Sequence, residues 1–189
     1  MAVALRKTDQ HTPEEYLALE EAADYKSEYF QGTIYAMSGA SLNHSRISGG
    51  ILSLCYIGLR GTSCEVFNSD TRLQVRSSGL FTYPDIMLVC GRPEMYKERT
   101  DTITNPVVIF EVLSRSTQDY DRGLKFELYR GLPSLREYIL IHQDTVHIEH
   151  HRRLDLNRWL LTEIRDLDTT LVLTAIELTL PVREIYERV

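Results

Sequence analysis

Tyr83-Pro84-Asp85-Ile86-Met87-Leu88-Val89 and, further on, Asn105-Pro106-Val107-Val108-Ile109-Phe110-Glu111-Val112-Leu113 are the stretches on which the reading of this chain turns. Each is apolar and strand-like, and each carries one carboxylate. A lone acid among Val and Ile is costly to desolvate unless a metal ion or another cation compensates it. Two such acids point to a shared cationic partner. Period-2 alternation places Val107, Ile109, Glu111 and Leu113 on one face of their strand and Val108, Phe110 and Val112 on the other. Pro84 favours an extended preceding residue and cannot donate to a sheet ladder, so the first strand is irregular, or just beginning, at Asp85. Strand ends of this kind expose a carboxylate.

The residues after Leu113 supply a third element. Ser116-Thr117-Gln118-Asp119 reads as a helix N-cap with an acid three residues on, and Gly131 and Pro133 stop the helix that follows. Within it Asp121, Lys125 and Tyr129 recur at i, i+4 and i+8. That face borders the apolar stripe of Tyr120, Leu124 and Leu128, so Lys125 is expected to be half covered and able to reach inward. Read alone, Asp121 and Lys125 are equally an ion pair on a solvated face, worth about 0.3 to 0.5 kcal/mol, and Tyr129 reads as a packing residue.

Upstream, Thr12-Pro13-Glu14-Glu15 combines a capping Thr, Pro at the first helical position and a capping-box Glu, predicting a helix over 13–23. Two β-prone runs, 26–29 and 33–37, flank Phe30-Gln31-Gly32 and predict a hairpin. Leu42, Ile47, Ile51, Leu54, Cys55 and Leu59 give 41–60 a helical spacing. Gly49-Gly50 costs that helix about 1 kcal/mol per Gly relative to Ala, which implies close backbone packing. Strands are expected at 64–76, 82–90, 106–113 and, buried, at 137–142. Peripheral strands follow at 147–151, 159–164 and 171–173, and 176–189 reads as a short strand and a turn of helix.

The 189 residues suit one domain with a substantial core, and the expectation is a single α+β domain over 1–189 around a mixed sheet. No run approaches the roughly 18 apolar residues of a membrane span, and Met1 to Gln10 lacks an export-signal core. Cys55, Cys64 and Cys90 are odd in number and form no CxxC pair, so neither a disulfide framework nor a zinc site is implied, and a reducing cytoplasm is the expected location. The net charge of −6 argues against a protein that coats nucleic acid nonspecifically, but not against a nuclease whose site is itself acidic. His142, His147, His150 and His151 match neither HExxH nor zinc-finger spacing, and strand alternation splits them between faces, as in a solvated edge strand. His44 is left unassigned, and Ser114 and Ser116 lack a GxSxG setting.

The order Pro84-Asp85, then Glu111-Val112-Leu113, then a helix, resembles the PD-(D/E)XK nuclease superfamily, with Leu113 where the motif's lysine stands. Glu28-Tyr-Phe-Gln-Gly-Thr-Ile34, Tyr83-Pro-Asp-Ile86, Ile109-Phe-Glu-Val-Leu-Ser114 and Asp121-Arg-Gly-Leu-Lys-Phe-Glu-Leu-Tyr129 together resemble a large bacterial family of restriction-endonuclease-like proteins long labelled a domain of unknown function. The likeness spans about residues 12 to 186. Gln31 departs from it, since an acid is commoner there.

The resemblance implies an α/β/α restriction-endonuclease-like core: a mixed central sheet flanked by helices, with an N-terminal helix and hairpin and peripheral C-terminal strands. It implies a divalent-metal-dependent endonuclease hydrolysing phosphodiester bonds, with DNA as partner, no membrane, and a homodimer to address two strands. Asp85, Glu111 and the Val112 carbonyl would hold Mg²⁺, with Mn²⁺ able to substitute. Lys125, on the helix instead of the strand, would orient the attacking water and meet charge at phosphorus. Glu28 would serve a second metal or its water, though a cross-strand ion pair explains it as well. Two other readings stay open: an inert nuclease-fold module binding DNA or protein, and a metal-dependent hydrolase of another substrate.

Overall fold

A computed structural model describes residues 10–115 and 117–189. The N-terminal stretch read for an export signal lies outside them up to residue 9, as does Ser116, read as opening a cap. Helix α1 (Pro13–Ala22) starts as its sequence dictates: the Thr12 side chain accepts from the Glu15 N–H and the Glu15 carboxylate accepts from the Thr12 N–H. Strands β1 (Ser27–Phe30) and β2 (Thr33–Ala36) form the hairpin, turned by Gln31 and Gly32, both at positive φ. Helix α2 (Leu42–Gly58) follows, capped by the Ser41 side chain on the His44 N–H.

The next strands sort into two sheets. β3 (Cys64–Asn68), β6 (Ile86–Cys90), β8 (Val108–Leu113), β9 (Glu137–His142), β10 (Ile148–Arg153) and β11 (Trp159–Ile164) make a six-stranded sheet in the order β11-β10-β9-β8-β6-β3. Its β8–β9 pair is parallel and its other pairs antiparallel, so the sheet is mixed. β4 (Arg72–Val75), β5 (Leu80–Thr82) and β7 (Thr102–Ile103) join the hairpin in a five-stranded sheet ordered β2-β1-β5-β4-β7. A ribbon of β12 (Thr170–Leu173) and β13 (Leu178–Pro181) leads into α5 (Val182–Ile185). Between β8 and β9 runs one rod of three parts: α3 (Gln118–Tyr120), a π-helical segment (Asp121–Lys125) and α4 (Phe126–Tyr129).

The alternation in β8 sets the layers. Val108, Phe110 and Val112 face a core completed by Ile47, Ile51 and Cys55 of α2 and by the ribbon and α5. Ile109 and Leu113 face a second core with Met87, Tyr138, Leu140, the strand residues Leu73, Val75 and Leu80, and Tyr129 of the rod. Every β8 residue is buried, Glu111 included. With each apolar side chain contributing about 1.5–3 kcal/mol by burial, this strand is held firmly in register.

Several expectations are corrected. The strand read as 64–76 breaks at an Asx turn, where the Asp70 N–H donates to Asn68 Oδ1, so β3 and β4 belong to different sheets. The run read as 82–90 likewise divides at Pro84, β5 lying in one sheet and β6 in the other. β10 is an interior strand, not a solvated edge, because β11 covers it. Cys64 and Cys90 are joined by a disulfide. They are direct partners in the antiparallel β3–β6 register, a juxtaposition that 26 residues of separation conceal. Cys55 remains a free, buried thiol, and burial pushes its pKa up to about 12. Among the α2 glycines the tightest contact is at Gly58, where a Cβ would meet the Leu178 side chain. Gly50 passes the α5 backbone at ordinary contact distance, and Gly49 faces open space.

Candidate active site

Asp85 sits at the crossing point between the two sheets, one residue before β6 and directly after Pro84. Its Oδ2 accepts the Val112 N–H at 2.7 Å, and its own N–H faces Glu111 Oε2 at 3.4 Å. The backbone of β8 therefore fixes the Asp85 carboxylate, and the Val112 carbonyl leaves the strand on the same side as its N–H. Glu28 comes from β1 in the other sheet, where Thr82 donates to its Oε1. The hairpin turn that holds Gln31 is the far end of β1, outside the cleft lining.

The rod supplies the cation. Lys125 Nζ lies 2.9 Å from Glu111 Oε1, 3.3 Å from Glu28 Oε1 and 3.5 Å from Asp121 Oδ1. All four side chains are nearly inaccessible. The ion-pair face is thus turned fully inward and Leu124, expected to lie on the covered stripe, is exposed. The wider π turn over 121–125 separates Asp121 and Lys125 from the apolar stripe of an ideal α-helix; such turns recur at functional sites. The Tyr129 hydroxyl donates to Glu111 Oε1 at 2.9 Å, so this packing residue also serves the cluster.

Glu28, Asp85, Glu111 and Asp121 line one cleft of about 590 Å³ with two ammonium groups, Lys125 and Lys26, of which Lys26 is turned to Asp70 and the Ser69 carbonyl. This surplus of negative charge shows in the acids themselves. Burial, then the neighbouring Asp121 and Asp85 charges, push Glu111 up to about 8 despite Lys125. Burial also raises Asp121. Burial works against the charge on Lys125, yet Glu111 and Glu28 hold its pKa well above the ordinary lysine value. Hard oxygen donors in excess over internal cations are what a divalent metal takes, so the residues fit Mg²⁺ or Mn²⁺.

His44 is the site residue that sequence reading left unassigned. It projects from the first turn of α2, with Nε2 3.1 Å from Asp85 Oδ2. Burial lowers its pKa, but the hydrogen bond and charge of Asp85 outweigh that and raise it. Its buried Nδ1 has no hydrogen-bond partner among the described residues. Ser41, the α2 cap, is tied by its hydroxyl to Gln143 Oε1 at 2.5 Å, which anchors this turn to the β9–β10 connection. The sequence signal available was the cap itself, which aims the start of a helix at whatever Asp85 lines. Among the other histidines, His150 faces away and bonds the buried Glu137 at 2.8 Å.

Comparison with known proteins agrees with this architecture. Residues 13–183 match the Uma2 family, described as "Putative restriction endonuclease". Two uncharacterized proteins of Synechocystis sp. are 39% identical over 153 residues, covering 81% of this chain and 86% of theirs, and 41% identical over 175 residues, covering 93% and 90%. A crystal structure from Anabaena variabilis, described as "a putative nuclease belonging to DUF820", shares the fold with a TM-score of 0.75 at 18% identity, over 94% of this chain and 98% of that one. The chain belongs to the Uma2 family and carries its restriction-endonuclease-like fold, consistent with the PD-(D/E)XK superfamily.

Proposed function

We propose that this protein is a Mg²⁺-dependent endonuclease that hydrolyses phosphodiester bonds in DNA, with Mn²⁺ able to substitute. The observation that carries the reading is the convergence of Glu111, Glu28 and Asp121 on Lys125 in one cleft, with Asp85 fixed beside Glu111 by the Val112 N–H. Asp85, Glu111 and the Val112 carbonyl would hold the metal, and Glu28 a second ion or its water. A metal so held neutralises the cluster, lowers the pKa of water and polarises the phosphoryl oxygens.

The chain's own groups do the rest. Lys125, whose high pKa keeps it an ammonium, orients water against Glu111 and offers positive charge to the phosphate. Tyr129 fixes the Glu111 oxygen shared with Lys125. The first turn of α2 opens onto the cleft at Ser41 and His44, where the positive end of the helix favours an approaching phosphate. One such site attacks one strand, so duplex cleavage is assigned to a homodimer.

The test is calorimetric titration of Mg²⁺ and Mn²⁺ into wild type, Asp85→Ala and Glu111→Ala, alongside cleavage of supercoiled and single-stranded DNA. Metal binding and nicking are expected in wild type and absent from both variants. Metal binding with no DNA turnover, or cleavage retained in either variant, would overturn the assignment.

A further inference from the structure

A second set of metal-ligating side chains gathers on the β9–β10 hairpin. His142 ends β9, and its N–H donates to the His147 carbonyl at 3.0 Å, so the two residues face each other across the hairpin. Their rings stack with centroids 4.2 Å apart. Glu149 follows His147 by two residues and so shares its face. One ligand atom from each of His142, His147 and Glu149 lies within 4.8 Å of the others.

Two further features mark this spot as one built for a cation. Glu149 stands directly opposite Glu163 of β11, a like-charge cross-strand pair that costs stability unless compensated. At present Arg122 compensates it: its Nη2 is 2.6 Å from His142 Nε2 and 2.7 Å from Glu149 Oε1. Donors of two different residues thus already converge on one positive group, and that group sits on a flexible, partly exposed side chain. Glu163 Oε1, 2.8 Å from His147 Nε2, supplies the carboxylate that commonly orients a metal-bound imidazole.

We propose that His142, His147 and Glu149 form a second divalent-metal site, for a borderline ion of the Zn²⁺, Co²⁺ or Ni²⁺ class, which Arg122 occupies as a displaceable cation. Two imidazoles and one carboxylate select such ions, whereas the all-oxygen donors of the Asp85 cleft suit Mg²⁺. The inference does not rest on the nuclease reading, and its test is run on Asp85→Ala so that the cleft is disabled.

Co²⁺ is titrated into that variant and followed by visible absorption and calorimetry. Binding is expected with the absorption of a nitrogen-ligated, low-coordinate ion. Adding His147→Ala should weaken it beyond the roughly 10–100-fold that outer-shell partners command. Adding Arg122→Ala should tighten it by about tenfold or more, since the competing charge-assisted hydrogen bonds are gone. A gain of affinity cannot come from misfolding, so this arm stands even if the histidine variant is unstable. Absence of nitrogen-type absorption, affinity indifferent to His147→Ala, or an unchanged or weaker Arg122→Ala would overturn the proposal.

Discussion

Asp85 and Val112, 27 residues apart, are joined by a 2.7 Å hydrogen bond from the Val112 amide to Asp85 Oδ2. The acid at the start of β6 is thus positioned by the backbone beside Glu111, not by rotamer preference alone. Small changes to either acid should therefore be felt by the other.

Asp85→Asn and Glu111→Gln keep the shape and an acceptor oxygen while removing a metal-binding charge. Cleavage is expected to fall at least about 100-fold in each, equivalent to about 2.7 kcal/mol of barrier. Metal-free Glu111→Gln should melt no lower than wild type, because burial already disfavours the charged carboxylate at this position and a neutral amide keeps an acceptor for Tyr129. Supercoiled-plasmid nicking and circular-dichroism melts check both halves.

The pH dependence follows from Glu111, whose folded pKa is about 8 against an ordinary 4.5. Between these values the folded protein holds a proton that the unfolded chain has released, so this group lowers stability as pH rises through that window and levels off above it. Metal must displace the same proton. Mg²⁺ affinity should rise as pH approaches about 8, by up to tenfold per pH unit, and flatten beyond it. Calorimetry at several pH values in buffers of different ionisation enthalpy will count the proton released; pH-independent affinity would contradict the account.

Lys125→Met leaves Glu28, Glu111 and Asp121 without the ammonium they share. Breaking such a buried pair costs about 3–5 kcal/mol, so the metal-free variant should unfold at markedly lower urea, and saturating Mg²⁺ should restore part of the loss while cleavage stays absent. Urea titrations with and without Mg²⁺ separate these effects.

The Cys64–Cys90 link closes a loop of 26 residues between paired strands. Its removal by Cys64→Ser, or its reduction, should cost about 2–4 kcal/mol of stability. Neither cysteine lines the cleft, so metal binding at saturating Mg²⁺ should persist. Denaturation with and without reductant, paired with calorimetry, provides the check.

Much of this was legible in the residues. The capping box placed α1, the alternation in β8 assigned each side chain to its layer, and the isolated acids at 85 and 111 marked the cleft. Lys125 was legible as a candidate but not as a buried one, because a π turn changes which side chains share a face and period 3.6 does not contain it. The division of 82–90 between sheets, the disulfide and the Asp85–His44 contact depend on long-range register, which local spacing does not encode. Tyr129 read as packing and is packing; its hydroxyl partner becomes apparent only once the rod lies against β8.

Because the chain changes sheets at Pro84, the acids are drawn from both sides of a seam: Glu28 from the five-stranded sheet, Glu111 from the six-stranded one, and Asp85 from the stitch between them. An ion lodged there would act as a rivet. Prying the β1–β2 hairpin away would dismantle the cleft outright, so the N-terminal hairpin is as much a part of this cleft as the strands that carry the motif.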